Sequence, residues 1–369
     1  MTKDELNTLL DRDETLNEQD YSNVQDWISS NYNGFSEDEW NAYFDKLLKR
    51  FEKENNKTCA DLIKKYVKEF HNTCPRKFVL YLKMIEACAY VCVKSKDEDS
   101  FVKYVQEYMY NAIAQITPKA INHNMDYYSF RGVTDYSIKE IVDEEISFAH
   151  PRSFNDPLDT LFNWWIEEEI KHLDQKDIHE QEFILLLKKM SEHIKMRCLI
   201  GTVKKYNGNN VNVEVDDLPV LMWSHYANSH KGMCIRYHFK EDFFKNYSVD
   251  NSKELLFIIP AKYSDNIKVA RKEKDFMANA LLLKSKDWEY ENEKRMIFYS
   301  QNLADGEKVP NEFPTMKCEG AIKSIYLGVR CSDADRRKVE KAIGDKNIRL
   351  YKMVIDSDKP TRLKAKRIG

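Results

Sequence analysis

The chain has 369 residues, of which 42% are hydrophobic and 12% aromatic, so it can bury a sizeable core and is not disordered as a whole. Its 58 Lys and Arg residues against 61 Asp and Glu residues leave a net charge of -3. This balance provides no overall attraction to nucleic acid or to an anionic membrane. At about 150 residues per domain, the length predicts two domains.

No segment has the pattern of a membrane span or an export signal. The longest apolar runs stay well short of the roughly 18 residues that a membrane helix needs, and the chain begins with polar and acidic residues. We therefore expect no membrane partner and a cytoplasmic location, with reduced cysteines. Cys88 and Cys92 lie one helical turn apart, and a zinc site that combines them with Cys59, His71 and Cys74 is one alternative. Without a CxxC pair, buried core thiols are the favoured interpretation.

The first part of the chain shows one helical pattern after another. Ser36 and Glu39 form the signature of a capping box, and Phe35 is placed to pack on Trp40. Apolar residues then recur with a period of 3.6, and similar stripes follow. We expect an all-helical domain over residues 1–120, with a regulatory or partner-docking role.

After about residue 122 short runs of strand-forming residues replace these stripes. We expect an α+β domain over residues 121–369, with a mainly antiparallel sheet of about five to seven strands and a helical insert at about 158–198. The basic end of the chain, from Lys359 to Arg367, is expected to be solvated or loosely docked. The runs that predict strands are Tyr127–Arg131, Ile146–Ala149, Met233–Phe239, Leu255–Tyr263, Arg295–Ser300, Ser324–Val329 and Ile348–Ile355.

Two polar clusters lie next to predicted strand ends. Arg131 ends the run YYSFR and precedes a glycine, which suits a guanidinium that grips a phosphate or a carboxylate. An ordinary salt bridge is the alternative. In HPRSFNDP, Asn155 and Asp156 favour a turn that either caps the next helix or lines a pocket.

A third cluster contains Glu291 and Glu293. If the strand that leads into MIFYS begins near Glu291, then Glu291, Glu293 and Arg295 share one face, while Met296 and Phe298 point into the core. Two carboxylates placed in this way raise each other's proton affinity, as is common in active sites. A helix would instead give an ordinary i,i+4 ion pair. The apolar residues that follow favour the strand.

A fourth segment, LMWSHYANSHKG, holds Trp223, His225, Tyr226 and His230. Trp223 and Tyr226 lie at helical spacing and can belong to the core, and the histidines lack metal-binding spacing. The chain also has no GxSxG, Walker or GxGxxG motif, which argues against the common hydrolases, P-loop NTPases and dinucleotide-fold dehydrogenases.

The strings FRG, SFNDPLD, LMWSHYANSHKGMCI, WEYENEKRMI and IYLG occur in this order. Together they resemble the bacterial family catalogued as domain of unknown function 2971, over about residues 122–330. The family more usually has Arg-Ser where this chain has Arg131-Gly132, although the arginine is kept. The resemblance implies no activity, and the helical region before residue 122 lies outside it.

The order of Arg131, Ser147 and Glu291-x-Glu293 also resembles the Arg-Ser-Glu pattern of ADP-ribosyltransferases. This resemblance implies that NAD is the substrate, that Arg131 holds its diphosphate, and that Ser147 seats the nicotinamide ribose. Ser153 or Ser224 could take the place of Ser147. Glu293 would bind the ribose hydroxyl and stabilise the oxocarbenium-like charge as nicotinamide leaves.

The same resemblance implies further roles around NAD. Glu291 would orient or activate a macromolecular acceptor, either protein or nucleic acid, and Tyr226 or Trp223 would stack on the nicotinamide. The remaining members of the implied NAD-binding set are Asn155, Asp156 and His225, with no metal ligand among them. Families of this kind often belong to toxin or phage-defence settings, so such a role is expected by analogy.

Two other functions stay open. A metal-dependent nuclease could be built on Asp156, Glu291, Glu293 and Lys294, although Lys294 directly follows Glu293 and the Asp…Glu-x-Lys pattern is missing. A non-catalytic sensor would bind a nucleotide or a peptide in the same pocket and dock a partner through the helical domain. The transferase hypothesis requires the Arg131 and Glu293 side chains to converge on one cleft. Side chains that point to opposite faces of the sheet would count against both this hypothesis and the family site.

Overall fold

A computed structural model describes residues 1–74, 78–116, 125–154, 156, 159–176, 178–206, 209–212, 214–245, 254–266, 276–300 and 314–369. The chain divides into two compact units, one formed by residues 1–115 and 166–191 and the other by residues 116–165 and 192–369. The first unit is helical. The second is mixed α+β with a mainly antiparallel sheet, which confirms the predicted fold class.

The helices, in chain order, are α1 (Lys3–Leu10), α2 (Glu18–Asn31), α3 (Glu37–Glu54), α4 (Lys57–Thr73), α5 (Phe78–Lys94), α6 (Glu98–Ala114), α7 (Asp135–Asp143), α8 (Leu161–Lys171), α9 (Ile178–Ser191), α10 (Val220–Tyr226), α11 (Asp242–Lys245), α12 (Phe276–Leu282) and α13 (Asp333–Ile343). Short 3-10 helices cover Tyr32–Gly34, Pro151–Ser153, Leu173–Gln175, Val215–Asp217 and Lys286–Glu291. Within the described residues, every helix is too short or too polar to cross a membrane.

The strands are β1 (Asp126–Arg131), β2 (Glu145–Ser147), β3 (Ile194–Gly201), β4 (Val203–Tyr206), β5 (Asn209–Asn212), β6 (Met233–His238), β7 (Glu254–Pro260), β8 (Lys262–Tyr263), β9 (Leu283–Lys284), β10 (Glu293–Ser300), β11 (Thr315–Lys317), β12 (Ile322–Leu327), β13 (Arg349–Ile355) and β14 (Leu363–Arg367). Eight of them form one sheet in the order β14-β13-β12-β6-β1-β3-β10-β7. Only the β12–β13 pair is parallel in this sheet, and α13 makes the crossover between them.

Helix α3 of the helical unit begins as the sequence predicts, after the capping residue Ser36. The Ser36 hydroxyl accepts a hydrogen bond from the Glu39 backbone N–H at 3.2 Å, which satisfies a free donor of the first turn. The Phe35 ring lies 5.2 Å from the Trp40 ring, edge to face. Trp40 is fully buried, and Tyr66 of α4 donates to its carbonyl at 2.8 Å. Burial of each large side chain of this kind contributes roughly 1.5–3 kcal/mol.

The two faces of the sheet carry separate apolar clusters. One contains Tyr127, Leu199 and Met296, and the other contains Tyr128 and Trp223. Consecutive residues of β1 divide between the two clusters, as the period of two in a strand requires. Met296 and Phe298 both pack in the first cluster, where the sequence placed them.

The pairing of β1 is unequal on its two sides. β1 pairs with β6 at all six of its residues, from Asp126 to Arg131. With β3 it pairs at only two positions, Tyr127 with Gly201 and Tyr128 with Ile200. The sheet is therefore split beyond Tyr128, between the C-terminal half of β1 and the preceding part of β3.

Three expectations from the sequence are wrong in detail. The helical insert does not reach residue 198, because residues 194–201 form β3, which pairs with β10 along seven residues. Glu291 is not in a strand, since it ends a 3-10 helix and β10 begins at Glu293. The basic end of the chain is not loose, because residues 363–367 form β14 and pair with β13.

The segment between α10 and β6 packs against β1 without space for a side chain. Asn228, Ser229 and His230 all adopt left-handed φ angles, of 47°, 53° and 68°, which are uncommon for residues other than glycine. A Cβ added to Gly232, which follows this turn, would lie 2.1 Å from the carbonyl oxygen of Arg131. This close approach fixes the backbone of Arg131.

We expect Gly232→Ala to destabilise the protein by about 1–3 kcal/mol, because the new methyl group meets backbone atoms that cannot rotate away. Urea unfolding followed by circular dichroism measures this loss. Gly34→Ala is the matched control, since an added Cβ there has no neighbour within 4 Å. Equal stability of the two variants would contradict the close approach.

Candidate functional site

A cavity of ≈ 420 Å³ opens where β1 and β3 separate. This size is within the range of small-molecule sites. β1 contributes four residues to its wall, Tyr128, Ser129, Phe130 and Arg131. The remaining lining residues are Ser147, Ala149, Ser153, Phe154, Asp156, Asp159, Met196, Arg197, Cys198, Leu199, Ile200, Met222, Tyr226, Lys284, Glu291 and Glu293.

One polar group around the cavity, the arginine cluster, consists of Arg131, Arg197, Glu140, Ser129 and Ser147. The buried Glu140 carboxylate of α7 forms an ion pair with Arg131, and it lies 3.8 Å from Nη2 of Arg197. Glu140 also accepts hydrogen bonds from the backbone N–H of Ser147, at 3.0 Å, and from its hydroxyl. With two guanidinium groups and one carboxylate, the cluster has a net charge of +1.

Arg197 retains donor capacity in this cluster. Its Nη2 donates to the Ser129 hydroxyl at 2.9 Å across the split in the sheet, but its buried Nε–H has no hydrogen-bond acceptor among the described residues. A buried donor without an acceptor costs about 1–3 kcal/mol. An anionic ligand at this point in the cavity would satisfy it.

The second polar group, the carboxylate cluster, consists of Glu291, Glu293, Asp159, Lys284 and Arg295. The Lys284 ammonium donates to Glu291 at 2.7 Å and to Glu293 at 2.8 Å, and it lies 3.6 Å from Asp159. Arg295 donates to Glu293 at 3.0 Å and also forms an ion pair with Asp159. Glu291 and Glu293 are each 3% exposed, so these charges interact with little screening by water.

The pKa values of the two glutamates of this cluster are shifted in opposite directions. Burial raises the pKa of Glu291, and the Lys284 cation offsets this effect only in part. Burial also acts on Glu293, but the cations of Arg295 and Lys284 outweigh it and hold the pKa of Glu293 well below its usual range. Pairs of carboxylates whose pKa values are pushed apart are typical of sites with separate acid–base and charge-stabilising roles.

Tyr226 and Cys198 complete the surroundings of the two glutamates. The Tyr226 hydroxyl donates to Glu291 at 2.7 Å, and burial together with the Glu291 charge raises its pKa, so it remains a donor at neutral pH. Burial and the nearby Glu293 charge raise the pKa of Cys198 well above its usual value. Cys198 is therefore a neutral thiol in the cavity wall rather than a nucleophile.

Arg131 and Glu293 reach the cavity from opposite faces of the sheet. Glu293 is paired with Ile200, and Ile200 is paired with Tyr128, so all three side chains share one face. Arg131 is three residues beyond Tyr128 and therefore lies on the other face. This opposite-face placement counts against the transferase hypothesis, although both residues line one cavity, which opens where β1 and β3 diverge.

The other predicted site residues divide into two groups. Asp156 and Ser147 line the cavity, but Ser147 belongs to the small β2–β11 sheet and binds Glu140. Trp223, which the resemblance implied as a stacking partner of nicotinamide, and His225, a member of the implied NAD-binding set, are not among the residues that line the cavity. Trp223 is buried in the core with its ring 4.9 Å from that of Phe130.

Three further assignments can be compared with the structure. His225 is exposed in α10, with its ring 5.9 Å from the Trp288 ring. Ser153 lines the cavity, whereas Ser224 does not. The hydroxyl oxygen of Ser224 lies 3.0 Å from Nε2 of His230. Asn155 lies outside the described residues.

Four residues of the two clusters were not singled out from the sequence: Asp159, Lys284, Arg197 and Glu140. Asp159 ends the string SFNDPLD, and Lys284 directly follows the apolar run ALLL, so both could have been noticed in the sequence. Arg197 was missed because its segment was assigned to a helix. Glu140 has the pattern of an ordinary helix-surface residue.

The described part of the chain brings carboxylates together, but not in an arrangement that could hold a metal ion. No set of three or more His, Cys, Asp or Glu side chains there is placed to hold a metal ion. In the carboxylate cluster, Lys284 and Arg295 lie between the acidic groups. Cys59, proposed for a zinc site, is buried in α4 with its thiol 3.6 Å from the Leu47 carbonyl oxygen.

We expect Lys284→Met to destabilise the fold by about 3–5 kcal/mol at neutral pH, because it leaves buried carboxylates with too few cations. The loss should shrink as the pH falls, since protonation removes the unpaired charge. Urea unfolding at several pH values measures this effect. Lys286→Met, two residues away and exposed, is the control, and an equal stability of both variants would contradict the role of Lys284.

Comparison with known proteins covers one part of this site. Residues 222–296 match a family model described as a protein of unknown function, DUF2971. Comparisons with curated proteins and with solved structures give no match. The matched segment contains Tyr226, Lys284, Glu291 and Glu293, whereas Arg131 lies outside it. The family resemblance seen in the sequence is therefore supported over residues 222–296, the segment that carries most of the carboxylate cluster.

Proposed function

We propose that the protein is an ADP-ribosyltransferase-like enzyme that uses NAD to modify a macromolecule. The observation that carries the proposal is the sharing of Lys284 by Glu291 and Glu293 in a cavity that is also lined by Arg131 and Arg197. Such an activity would suit a toxin or a phage-defence effector.

The charges around the cavity complement those of NAD. The arginine cluster has a net charge of +1, and the carboxylate cluster, with three carboxylates and two cations, has a net charge of -1 when all groups are ionised. NAD carries an anionic diphosphate and a cationic nicotinamide ring. Arg131 and Arg197 would hold the diphosphate, and the carboxylate cluster would face the cationic end of the molecule.

The reaction is a transfer at the ribose carbon bound to nicotinamide. The bond between that carbon and the ring nitrogen breaks, its electron pair stays with the nitrogen, and neutral nicotinamide leaves. The ionised Glu293 carboxylate stabilises the positive charge that develops on the ribose. The acceptor then bonds to the same carbon and loses its proton to Glu291, whose raised pKa makes it a better base.

The Glu140–Arg131 ion pair constrains how the diphosphate would bind. An anion that approaches Arg131 must share the guanidinium with Glu140 or displace it. Arg197 offers an easier contact, because its Nε–H is unsatisfied in the described structure. We therefore assign the first phosphate contact to Arg197 and a supporting contact to Arg131.

The nuclease alternative receives less support. Lys294 directly follows Glu293 in β10, so its side chain leaves on the opposite face of the strand, away from the carboxylate cluster. The sensor alternative uses the same cavity and differs only in the absence of turnover. A binding function would appear as stabilisation by ligand without release of nicotinamide.

We expect Glu293→Gln to reduce nicotinamide release from NAD by about 10²–10³-fold, because the amide cannot stabilise the developing charge. The assay supplies NAD with either nucleic acid or cell lysate as acceptor. Glu289→Gln is the matched control, since Glu289 is exposed in the neighbouring 3-10 helix and does not line the cavity.

The alternatives give different results in the same experiment. Absence of nicotinamide release and of ADP-ribose transfer by the wild type would contradict the transferase function. Cleavage of nucleic acid that requires Mg²⁺ or Mn²⁺ and stops with a chelator would support a nuclease instead. Circular dichroism of Glu293→Gln shows whether a loss of activity reflects chemistry or unfolding.

The rate should also depend on the ionisation of Glu291. Because a base must be deprotonated, kcat/KM should fall as the pH drops through the pKa of Glu291, which lies above the ordinary glutamate value of 4.5. The pKa of Glu293 is held below the ordinary glutamate value, so the titration of Glu293 adds no decline in kcat/KM at the pH where Glu291 titrates. A pH–rate profile in which Glu291→Gln keeps the same acidic decline would exclude Glu291 as the base.

A further inference from the structure

The C-terminal hairpin formed by β13 and β14 is strongly basic. Residues 349–369 contain seven Lys and Arg residues and two Asp residues, in a chain whose net charge is -3. The cations are Arg349, Lys352, Lys359, Arg362, Lys364, Lys366 and Arg367. None of them forms an ion pair with a residue that the structure describes. Lys352 is half-buried and its ammonium donates to the Cys331 carbonyl at 2.9 Å, and Arg367 donates to the Gly369 carbonyl at 3.1 Å, so no carboxylate neutralises these charges within the described residues.

The register of the hairpin brings like charges together. Lys352 of β13 is directly opposite Lys366 of β14, and Val354 is opposite Lys364. Residues opposite each other on adjacent strands have Cβ atoms about 5 Å apart, and like charges at that distance destabilise the sheet. The repulsion between these lysines therefore lowers the stability of the folded hairpin. A negatively charged partner that contacts both lysines would offset this repulsion.

Strand alternation places these lysines on one face. Leu363 and Ala365 pack against the apolar cluster that contains Trp223, so Lys364 and Lys366 point to the opposite face, and both are exposed. They are two residues apart along β14, or about 6.8 Å. This spacing matches about two nucleotide steps along one strand of a nucleic acid, at roughly 3.4 Å per step.

Edge protection explains only part of this pattern. β14 is the last strand of the sheet, and lysines on an edge strand prevent pairing with another chain. Lys352, however, is on β13, which has a neighbour on each side. The edge of β14 is also blocked at one position already, since the Ala365 N–H donates to the Asp216 side chain at 2.7 Å.

We propose that the β13–β14 hairpin binds the phosphate backbone of a nucleic acid, mainly through the exposed Lys364 and Lys366, with Lys352 adding positive charge beside them. Contacts of this kind carry no sequence information and position the partner. The proposal concerns binding alone and does not depend on NAD chemistry in the cavity.

The test measures binding of the full chain to fluorescently labelled DNA and RNA, single-stranded and duplex, by anisotropy at 50 to 200 mM salt. We expect affinity to fall with salt, as ion release requires. Lys364→Gln combined with Lys366→Gln should weaken binding about tenfold or more at 50 mM salt and reduce the slope of log K against log salt by about two.

The control is Lys65→Gln combined with Lys68→Gln, which removes the same charge from two exposed lysines of α4. It should bind like the wild type. Absence of binding by the wild type at 50 mM salt, or an equal effect of both double variants, would overturn the proposal. Vesicles of phosphatidylcholine and phosphatidylserine form a further arm, and binding to them without binding to nucleic acid would overturn it in favour of a membrane surface.

Discussion

Strand β1 pairs with β6 along all six of its residues but with β3 at only two, and the cavity exists because the pairing on the second side stops at Tyr128. An antiparallel sheet normally separates the side chains of its two faces completely. Where β1 and β3 diverge, that separation ends. Arg131 and Glu293 start on opposite faces and still line the same cavity, so charged groups of both signs surround one space.

This arrangement requires buried charges, which are costly. Each ion that leaves water loses several kcal/mol of solvation, and an ion pair regains this only when its partners are well placed. In the carboxylate cluster Lys284 contacts two glutamates and Arg295 contacts Glu293 and Asp159. Such a network contributes little net stability compared with an apolar core. It fixes the positions and ionisation of Glu291 and Glu293, which is what a catalytic site needs.

Local patterns predicted much of the fold and part of the site. The strand around Arg131 and the orientation of Met296 and Phe298 followed from alternation, because this signal depends on nearby residues alone. The β3 strand was missed, since its apolar run follows a helical segment directly and period alone cannot separate the two. Glu291 and Glu293 could be singled out by their spacing. Their shared contact with Lys284 could not, because it depends on a turn between β9 and β10.

The net charge of -3 does not show that the cavity and the C-terminal hairpin are charged differently. Inside the cavity, cations and carboxylates nearly balance, so the interior suits a small ligand that itself carries both signs. On the hairpin, positive charges stand together without acidic partners among the described residues, which suits an extended polyanion. β13 is separated from β1 by β12 and β6, or about 14 Å across the sheet at roughly 4.8 Å per strand. One sheet thus carries both surfaces, and a nucleic acid held at the hairpin would be a ready acceptor for chemistry in the cavity.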